Sequence, residues 1–378
     1  MKWDIIQFLL SLQIIGFCIF GGTILLLRSR ERRAKKILGF AMYLWAVMAI
    51  VRVSVNFYLH EGKEAFHPDV LIIGCFVTAI LACYVIEVLR PGYLTLKRFA
   101  VFISPIFLTS LMYLAYRLSG GEIHVYYSLK ELLEYFNFDV FMRGLFFLLT
   151  LFYMLLPVYL ILRYSGDYKA FLSENVSNPD DYDLDWLKKT MIVLMVLYGF
   201  YLILLLTDIL ILYVVNKAVL LLTWFYFFYK ALFLKPIILE HSFKNSWNLP
   251  YQGDDESDDY DGDEEQRGLL SKRYAEEVNQ WFEKEKPYLR DDLRLTDLQR
   301  IFPMSRSYLS QLFNRELGMS FSDYVNQFRI EESKRLMDAE PQASIQEVAE
   351  RSGFHSISTF RRAFQKYTGT IPSEYKRN

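Results

Sequence analysis

Three cationic side chains lie close together near the C-terminal end of the sequence, within "SISTFRRAFQKYTG" (residues 356–369). They are Arg361, Arg362 and Lys366. A guanidinium presents planar donors that pair bidentately with a guanine edge and also bind phosphate. Aromatic residues recur between the cations three and four positions apart, which predicts a helix whose packed face contains Phe360, Phe364 and Tyr367. The opposite face is then free for binding and contains Ser358, Arg361, Arg362 and Lys366.

The preceding segment, "SIQEVAERSGF" (344–354), has the pattern of a short helix and a turn. Ser344 is the predicted N-cap, and the predicted inward residues are Ile345, Val348 and Ala349. Gly353 stands where the helix must stop and the chain must reverse. Glycine adopts a positive φ there without Cβ strain. Together with residues 356–369, this segment is predicted to form a helix-turn-helix unit.

A similar pattern occurs about 50 residues earlier. "LTDLQRIF" (295–302) is predicted to be a helix with Thr296 as its N-cap, and Pro303 and Met304 form the turn. "SRSYLSQLFNREL" (305–317) follows as a second helix. Its predicted buried residues are Leu309, Leu312 and Phe313. Its predicted free residues are Ser307, Ser310, Gln311 and Asn314. A long helix within 318–337 connects this unit to the next.

One amphipathic helix with outward arginines is usually only a solvated surface. Two helix-turn-helix units that share a connecting helix favour a different interpretation, namely binding to double-stranded DNA. A recognition helix packs one face and presents the other, and its N-terminal half reaches base edges in the major groove.

From about residue 270 to 378, the sequence resembles the DNA-binding domain of AraC/XylS-type transcriptional regulators. Two stretches carry the resemblance, "SRSYLSQLFNRELGMSFSDYVNQFRIEESKRLM" and "IQEVAERSGFHSISTFRRAFQKYTGTIPSEYK". The closing Gly-x-x-Pro-x-x-Tyr pattern, Gly369, Pro372 and Tyr375, is the most specific part. The resemblance covers under a third of the chain and implies a domain of seven helices.

The resemblance also implies which residues contact DNA. Base-edge contacts in the first unit would come from Ser307, Ser310 and Gln311. Those in the second unit would come from Ile357, Ser358, Arg361 and Arg362. The first helix is rich in small serines where relatives often have larger side chains, so the second helix is the stronger expected reader.

The first 235 residues differ sharply from this C-terminal part. A membrane-spanning helix needs about 20 mostly apolar residues. Seven such runs occur, at about 4–27, 37–59, 70–89, 99–117, 138–162, 190–213 and 217–235. We therefore predict an all-α protein with a seven-helix membrane bundle at residues 1–238. In architecture, it resembles membrane-bound AraC-type regulators of Bacteroidetes-like bacteria.

Lysine and arginine in the short loops indicate the orientation in the membrane. The loop "RSRERRAKK" (28–36) is strongly basic, and basic and non-basic loops mostly alternate thereafter. This pattern predicts an extracytoplasmic N-terminus and a cytoplasmic C-terminal domain in a bacterial inner membrane. In this prediction Asn216 and Lys217 are the whole of the sixth loop.

Four of the ionisable residues within the predicted spans are singled out as a set because both signs of charge are present: Arg52, Asp139, Arg143 and Asp208. Each such residue costs about 2.5–3.5 kcal/mol at the membrane centre. One interpretation is a set of snorkelling side chains and structural ion pairs. The other is a polar pocket in the outer half of the bundle that senses an unknown small-molecule or protein signal.

Residues 239–268 are predicted to be an acidic linker because they include "DDESDDYDGDEE" (254–265). A run of like charges repels itself and stays extended. The AraC-type domain would then occupy residues 269–378. Proteolysis within the acidic run would release that domain as a soluble regulator, which is an alternative to a permanent membrane tether.

No catalytic motif, cofactor motif or metal-ligand spacing occurs in the sequence. The three cysteines, Cys18, Cys75 and Cys83, lie in apolar runs and are predicted to be small buried hydrophobic residues. We expect a membrane-embedded transcriptional regulator rather than an enzyme, with DNA and the lipid bilayer as partners and a homodimer as one route to signalling. A transporter or membrane enzyme with an accessory nucleic-acid-binding tail is the alternative.

Overall fold

The computed structural model describes residues 2–28, 33–58, 67–90, 92–126, 129–204, 209–234 and 264–377. All regular secondary structure in these ranges is helical. The chain divides into two compact units. Unit 1 contains Met1–Ser165 and Leu184–Leu249, and unit 2 contains Gly166–Asp183 and Pro250–Asn378. The predicted all-α class, with seven long apolar helices before a helical C-terminal region, is confirmed.

Seven of the helices in the described residues are long and apolar enough to cross a membrane. They are α1 (Lys2–Leu27), α2 (Arg33–Tyr58), α3 (Pro68–Leu89), α4 (Leu96–Leu118), α6 (Phe138–Asn175), α7 (Asp185–Leu204) and α8 (Leu210–Leu232). A short helix, α5 (Leu129–Glu134), lies between α4 and α6. Helices of this length satisfy their own backbone hydrogen bonds, as a segment in lipid requires.

Local sequence explains how these helices begin and how closely they pack. Pro68 occupies the first turn of α3, where its missing N–H is not needed. Thr95 caps α4 by accepting a hydrogen bond from the Arg98 N–H at 3.3 Å. Gly22 of α1 faces Gly39 of α2 so closely that a Cβ on Gly22 would lie 3.1 Å from the Gly39 carbonyl oxygen. Paired small residues of this kind let two helix backbones approach each other.

Many large apolar side chains lie on the exterior of unit 1. Phe20, Phe107 and Leu222 are each at least 60% exposed. Water-soluble monomers rarely present apolar patches of this extent, whereas helices surrounded by lipid do so routinely. The interior contains the three cysteines, which are buried and unpaired as predicted.

Three helices, α6, α7 and α8, differ from the predicted spans, and α7 ends at Leu204 rather than near residue 213. The fifth apolar run continues as one helix to Asn175, beyond the predicted end near residue 162. The predicted sixth loop was wrong, because Asn216 and Lys217 lie inside α8. The Lys217 Nζ donates a hydrogen bond to the Ser11 Oγ at 2.7 Å, so this lysine has a partner within the bundle. Two adjacent polar residues therefore did not indicate a loop here.

Unit 2 contains seven α-helices in residues 264–377, the number that the resemblance implies. They are α9 (Glu264–Glu285), α10 (Leu295–Leu298), α11 (Arg306–Gln311), α12 (Phe321–Ala339), α13 (Ile345–Arg351), α14 (Ile357–Thr368) and α15 (Pro372–Tyr375). A π-helical turn, Leu312–Glu316, continues α11. Most of the predicted acidic linker lies outside the described residues, and its last five residues belong to α9.

Two hydrophobic cores hold unit 2 together, and α12 contributes to both. The first core surrounds Phe282, Phe313 and Phe321. The second surrounds Phe354, Phe360 and Phe364, and includes residues from the C-terminal half of α12. Each helix-turn-helix unit therefore has its own aromatic core, and the connecting helix joins them.

Serine caps start four of these helices. Ser305, Ser320, Ser344 and Ser356 each accept a hydrogen bond from the backbone N–H three residues ahead. Ser344 was predicted, and its cap is reinforced by the Glu347 carboxylate, which accepts from the Ser344 N–H at 2.8 Å. Thr296 was wrong as a cap, because α10 begins at Leu295. The Asp297 carboxylate accepts from the Arg294 N–H at 3.0 Å instead.

Candidate nucleic-acid interface

The second helix-turn-helix unit presents a charged face on α14. Phe360 and Phe364 are fully buried, as predicted, and Tyr367 is half-buried. Arg361 and Arg362 are exposed on the opposite face. The helix thus has one packed face and one open face, which is the arrangement that a recognition helix needs.

The turn before α14 depends on Gly353. Its φ is +88°, as the sequence predicted, and its N–H donates to the Glu350 carbonyl. A Cβ at this position would lie 2.3 Å from the Tyr288 carbonyl oxygen. Glycine is therefore required twice here, by the left-handed backbone and by the close approach of another segment.

The remaining polar residues of α14 have different surroundings. Ser358 is exposed and Ile357 is half-buried at the start of the helix. The Lys366 Nζ forms an ion pair with the Asp323 carboxylate at 2.6 Å. Burial alone would raise the pKa of Asp323, but hydrogen bonds from Lys366 and Tyr367 hold that pKa below its usual value. Lys366 is thus partly neutralised within the domain, whereas Arg361 has no ion-pair partner among the residues the structure describes.

The first unit presents a smaller and less charged face. Ser307 and Asn314 are exposed, while Ser310 and Gln311 are half-buried. Leu309 is buried beneath them, as predicted. The regular α-helical part has six residues before the π-helical turn. A π-helical turn changes the angular position of the residues that follow it. Asn314 therefore does not have the angular position relative to Ser307 that an uninterrupted α-helix would give it.

The last residues of α6 contact this first unit. We call residues 174–178, which end α6 and follow it within unit 2, the strap. The Arg306 Nε donates to the Asn175 Oδ1 at 2.7 Å, and the Ser310 Oγ donates to the Glu174 carboxylate at 3.3 Å. Both donors lie on α11. The strap therefore places a carboxylate against a helix that the sequence predicts to read DNA.

Backbone contacts also hold the strap in unit 2. The Ser177 N–H donates to the Leu293 carbonyl at 3.0 Å, and Val176 forms an isolated antiparallel bridge with Arg294. The Asn178 Nδ2 donates to the Asp291 carbonyl at 2.6 Å. These bonds involve main-chain groups, so the association does not depend on one side-chain pair.

Arg329 of α12 is fully buried and joins the strap to the rest of unit 2. It donates to the Tyr288 and Arg290 carbonyls at 2.7 Å each, to the Asn178 Oδ1 at 2.9 Å and to the Ser177 Oγ at 3.1 Å. A buried guanidinium is stable only when its donors are satisfied in this way. Sequence reasoning missed this residue. The sequence did contain an indication of this role. Arg329 is a charged residue four positions after Val325, which places it on the apolar face of the helix.

A family profile described as "Helix-turn-helix domain" matches residues 298–378. Residues 298–378 form a helix-turn-helix domain of the AraC type. Unit 2 adds α9 and the strap to this AraC-type domain. The profile covers both candidate recognition helices and the Gly369, Pro372 and Tyr375 pattern.

The chain is similar in this domain to several bacterial regulators. It is 33% identical over 85 residues to the Msm operon regulatory protein of Streptococcus mutans, a match that covers 22% of this chain and 30% of the relative. It is 40% identical over 75 residues to the uncharacterized transcriptional regulatory protein YesN of Bacillus subtilis, covering 20% of each chain. The chain therefore spans less than a third of these relatives' own length.

A solved structure also matches part of the chain. It is the C-terminal domain of AraT, a response regulator from Geobacillus stearothermophilus. The match has 28% sequence identity and a TM-score of 0.24, and it covers 29% of this chain and 82% of that one.

The ionisable residues predicted for a sensor pocket lie outside the AraC-type domain, and the structure does not bring them all together. Asp139 and Arg143 form a buried ion pair at 2.9 Å, to which Tyr113 adds a hydrogen bond on Asp139 at 2.7 Å. Arg52 lies elsewhere in unit 1, in the wall of a cavity that neither of these residues lines. Asp208 lies outside the described residues.

Proposed function

We propose that this protein is a membrane-embedded transcriptional regulator in which a signal received by the apolar helices controls sequence-specific DNA binding. The observation that carries the proposal is the presence of an AraC-type domain with an open cationic recognition face in the same chain as seven helices of membrane-spanning length. The names of the relatives support a regulator rather than an enzyme.

In this proposal, the outward faces of the two candidate recognition helices contact DNA. On α14, we assign base-edge contacts to Ile357, Ser358, Arg361 and Arg362, and a phosphate contact to Lys366. In the first unit, we assign the contacts to Ser307, Ser310 and Gln311 of α11 and to Asn314 of the π-helical turn that follows it. Arginine on the α14 face supplies the strongest expected discrimination, because a bidentate pair with guanine is worth about 1–3 kcal/mol.

The test is genome-wide crosslinking of the full-length protein to DNA, beside an Arg361→Ala and Arg362→Ala double variant. Lys272→Ala with Arg273→Ala is the matched control, since it removes two exposed cations from α9 of the same unit. Discrete sites should disappear in the first variant and persist in the second. Equal loss in both variants would mean that the protein binds DNA only through non-specific charge attraction.

We further propose that the N-terminus is extracytoplasmic and that the C-terminal domain is cytoplasmic. Two apolar helices, α7 and α8, separate the strap from α9 along the chain. Two crossings return the chain to the same side of a membrane, which is compatible with the strap and the AraC-type domain packing as one unit. Reporter fusions after Tyr58 and after Leu234 should report opposite sides of the membrane. A shared side would contradict the topology.

The strap offers a route for the signal. Because α6 is one helix from Phe138 to Asn175, a displacement of its membrane part moves the residues that contact α11. A signal can shift this equilibrium only if it binds two states of the bundle with different affinity. Dimerisation through the apolar helices is a second route, because paired domains would match paired half-sites.

A further inference from the structure

Unit 1 contains a cavity of about 230 Å³ whose walls come from α1, α2, α3, α6, α7 and α8. Most of the wall is apolar or aromatic, and Trp45, Leu71, Tyr198 and Leu220 are representative. Ligand-binding pockets typically have this composition, with a few polar groups that orient the ligand. The volume lies below the range of about 300–1,000 Å³ that drug-sized ligands occupy. It therefore suits a head group with part of a chain.

Two cationic side chains from different helices reach this cavity. The Arg52 guanidinium carbon lies 4.8 Å from the centre of the Tyr201 ring. The Lys217 Nζ donates to the Ser11 Oγ at 2.7 Å and approaches the Gln7 carbonyl at 3.4 Å. The contacts of both cations are with neutral groups. Among the residues the structure describes, no aspartate or glutamate lines the cavity.

The described wall therefore presents two basic side chains, Arg52 and Lys217, and no acidic one. Arg52 and Lys217 have side chains of the same charge sign in the wall of one cavity, and like charges repel each other. An unpaired charge inside an apolar bundle is unfavourable because it loses hydration. An anionic group placed between the two cations would relieve both the repulsion and the lost hydration.

Asn216 provides an independent indication that the cavity is built for a polar ligand group. It lines the cavity beside Lys217, is 8% exposed, and its Oδ1 is buried without a hydrogen-bond partner. Buried polar atoms normally have such a partner. A hydroxyl or amide donor on a ligand head group would supply it.

We propose that this cavity binds an amphiphile with an anionic head group, held by Arg52 and Lys217, and an apolar chain that lies along the aromatic and aliphatic wall. The proposal rests on the proposed function and deepens it by naming the chemical class of the signal. Of the residues predicted from sequence for a sensor pocket, Arg52 is retained. Lys217 and Asn216 are added, and both had been predicted to lie in a loop.

The experiment uses full-length protein in phosphatidylcholine nanodiscs and measures saturable binding of radiolabelled dodecanoate. Unlabelled dodecanoate and dodecanol, which has the same chain without the charge, are the competitors. Arg52→Gln and Lys217→Gln should each weaken dodecanoate binding about tenfold or more, because a hydrogen bond to a charged group is lost. Arg52→Lys, which keeps the charge, should retain most of the affinity.

Matched controls come from α4. Arg98 also lies over a tyrosine ring, at 4.3 Å from the centre of Tyr93, but it does not line the cavity. Lys97 is exposed on the same helix. Arg98→Gln and Lys97→Gln should bind dodecanoate like the unaltered protein. Equal competition by dodecanol, or unchanged binding in both cavity variants, would overturn the proposal.

A second arm distinguishes a free carboxylate amphiphile from a lipid head group. If phosphatidylglycerol nanodiscs suppress dodecanoate binding, an anionic bilayer lipid is the occupant. If binding is unchanged, the ligand is a free amphiphile, and either result supports the site. Resistance to carbonate extraction is measured in parallel. Protein that carbonate extracts from the membrane would refute membrane embedding. Protein that stays in the membrane but shows no saturable dodecanoate binding in either type of nanodisc would refute the cavity proposal alone.

Discussion

The two helix-turn-helix units of the AraC-type domain share a motif but differ in how they use their polar faces. In the second unit, α14 runs for 12 residues and presents Arg361 and Arg362 to solvent. In the first unit, α11 has six residues before a π-helical turn, and its polar face is rich in serine. The strap contacts the first unit through Arg306 and Ser310.

This difference indicates a division of roles between the units. The second unit has an open cationic face, so under the proposed function we expect it to supply most of the affinity and discrimination for DNA. The first unit divides its polar groups between the strap and solvent, so we expect its contribution to DNA binding to depend on the strap. The contrast generates four predictions, from the largest expected effect to the smallest.

Two glycines with positive φ, Gly353 in the turn of the second unit and Gly318 after the last helical residue of the first unit, test how tightly the chain packs around each position. Gly353→Ala should destabilise the domain by about 3 kcal/mol or more, because its Cβ would collide with the Tyr288 carbonyl oxygen in addition to the strain at φ +88°. Gly318→Ala has similar strain, with φ +69°, but no atom within 4 Å of its Cβ. It should cost only about 1 kcal/mol. Urea unfolding followed by hydrogen exchange of the α14 backbone amides measures both, and equal losses would contradict the packing argument.

Equivalent substitutions on the two reading faces test the proposed division. Arg361→Ala should weaken binding to an identified operator about 10- to 100-fold, because a charged bidentate donor is removed. Gln311→Ala should weaken it less than about fivefold, since Gln311 is half-buried and uncharged. Fluorescence anisotropy with the full-length protein measures both affinities. A larger loss for Gln311→Ala would reverse the assignment of roles.

Removal of the strap's negative charge tests whether its carboxylate restrains the first unit. Glu174→Gln removes the negative charge next to Ser310 while keeping the side-chain shape. DNA phosphates should then meet less repulsion, and operator affinity should rise about two- to fivefold at low salt. Glu276→Gln, an exposed acid of α9, is the control and should change affinity less. An unchanged or lower affinity for Glu174→Gln would argue against a restraining strap.

The smallest expected effect concerns the ion pair between Lys366 and Asp323, which joins α14 to the connecting helix. The pKa of Asp323 is lowered on folding, so its stabilising contribution is fully present above the ordinary aspartate pKa of about 4. The contribution is lost as pH falls through the lower folded pKa. The carboxylate is 38% exposed, so solvent screening limits the effect to less than about 1 kcal/mol. Asp323→Asn should remove this component from the pH dependence of urea unfolding, and an unaltered profile would contradict it.

Much of the AraC-type domain could be predicted from local sequence. The aromatic spacing of α14, the serine cap at Ser344 and the positive φ of Gly353 were all confirmed. Each depends on a few neighbouring residues and on the 3.6-residue helical period, which a sequence displays directly. The cap at Thr296 was wrong because the helix begins one residue earlier, at Leu295, with Arg294 at the cap position and its N–H donated to the Asp297 carboxylate.

The apolar runs likewise established seven candidate spanning helices, because their length and hydrophobicity are properties of continuous sequence. The contacts that suggest regulation were not visible in that way. Arg329 meets Ser177 and Asn178, which are about 150 residues distant along the chain, and Lys217 meets Ser11 across 206 residues. Partners so far apart leave no local period or spacing. These contacts depend on the packing of whole helices, which also determines the groups that surround a buried charge.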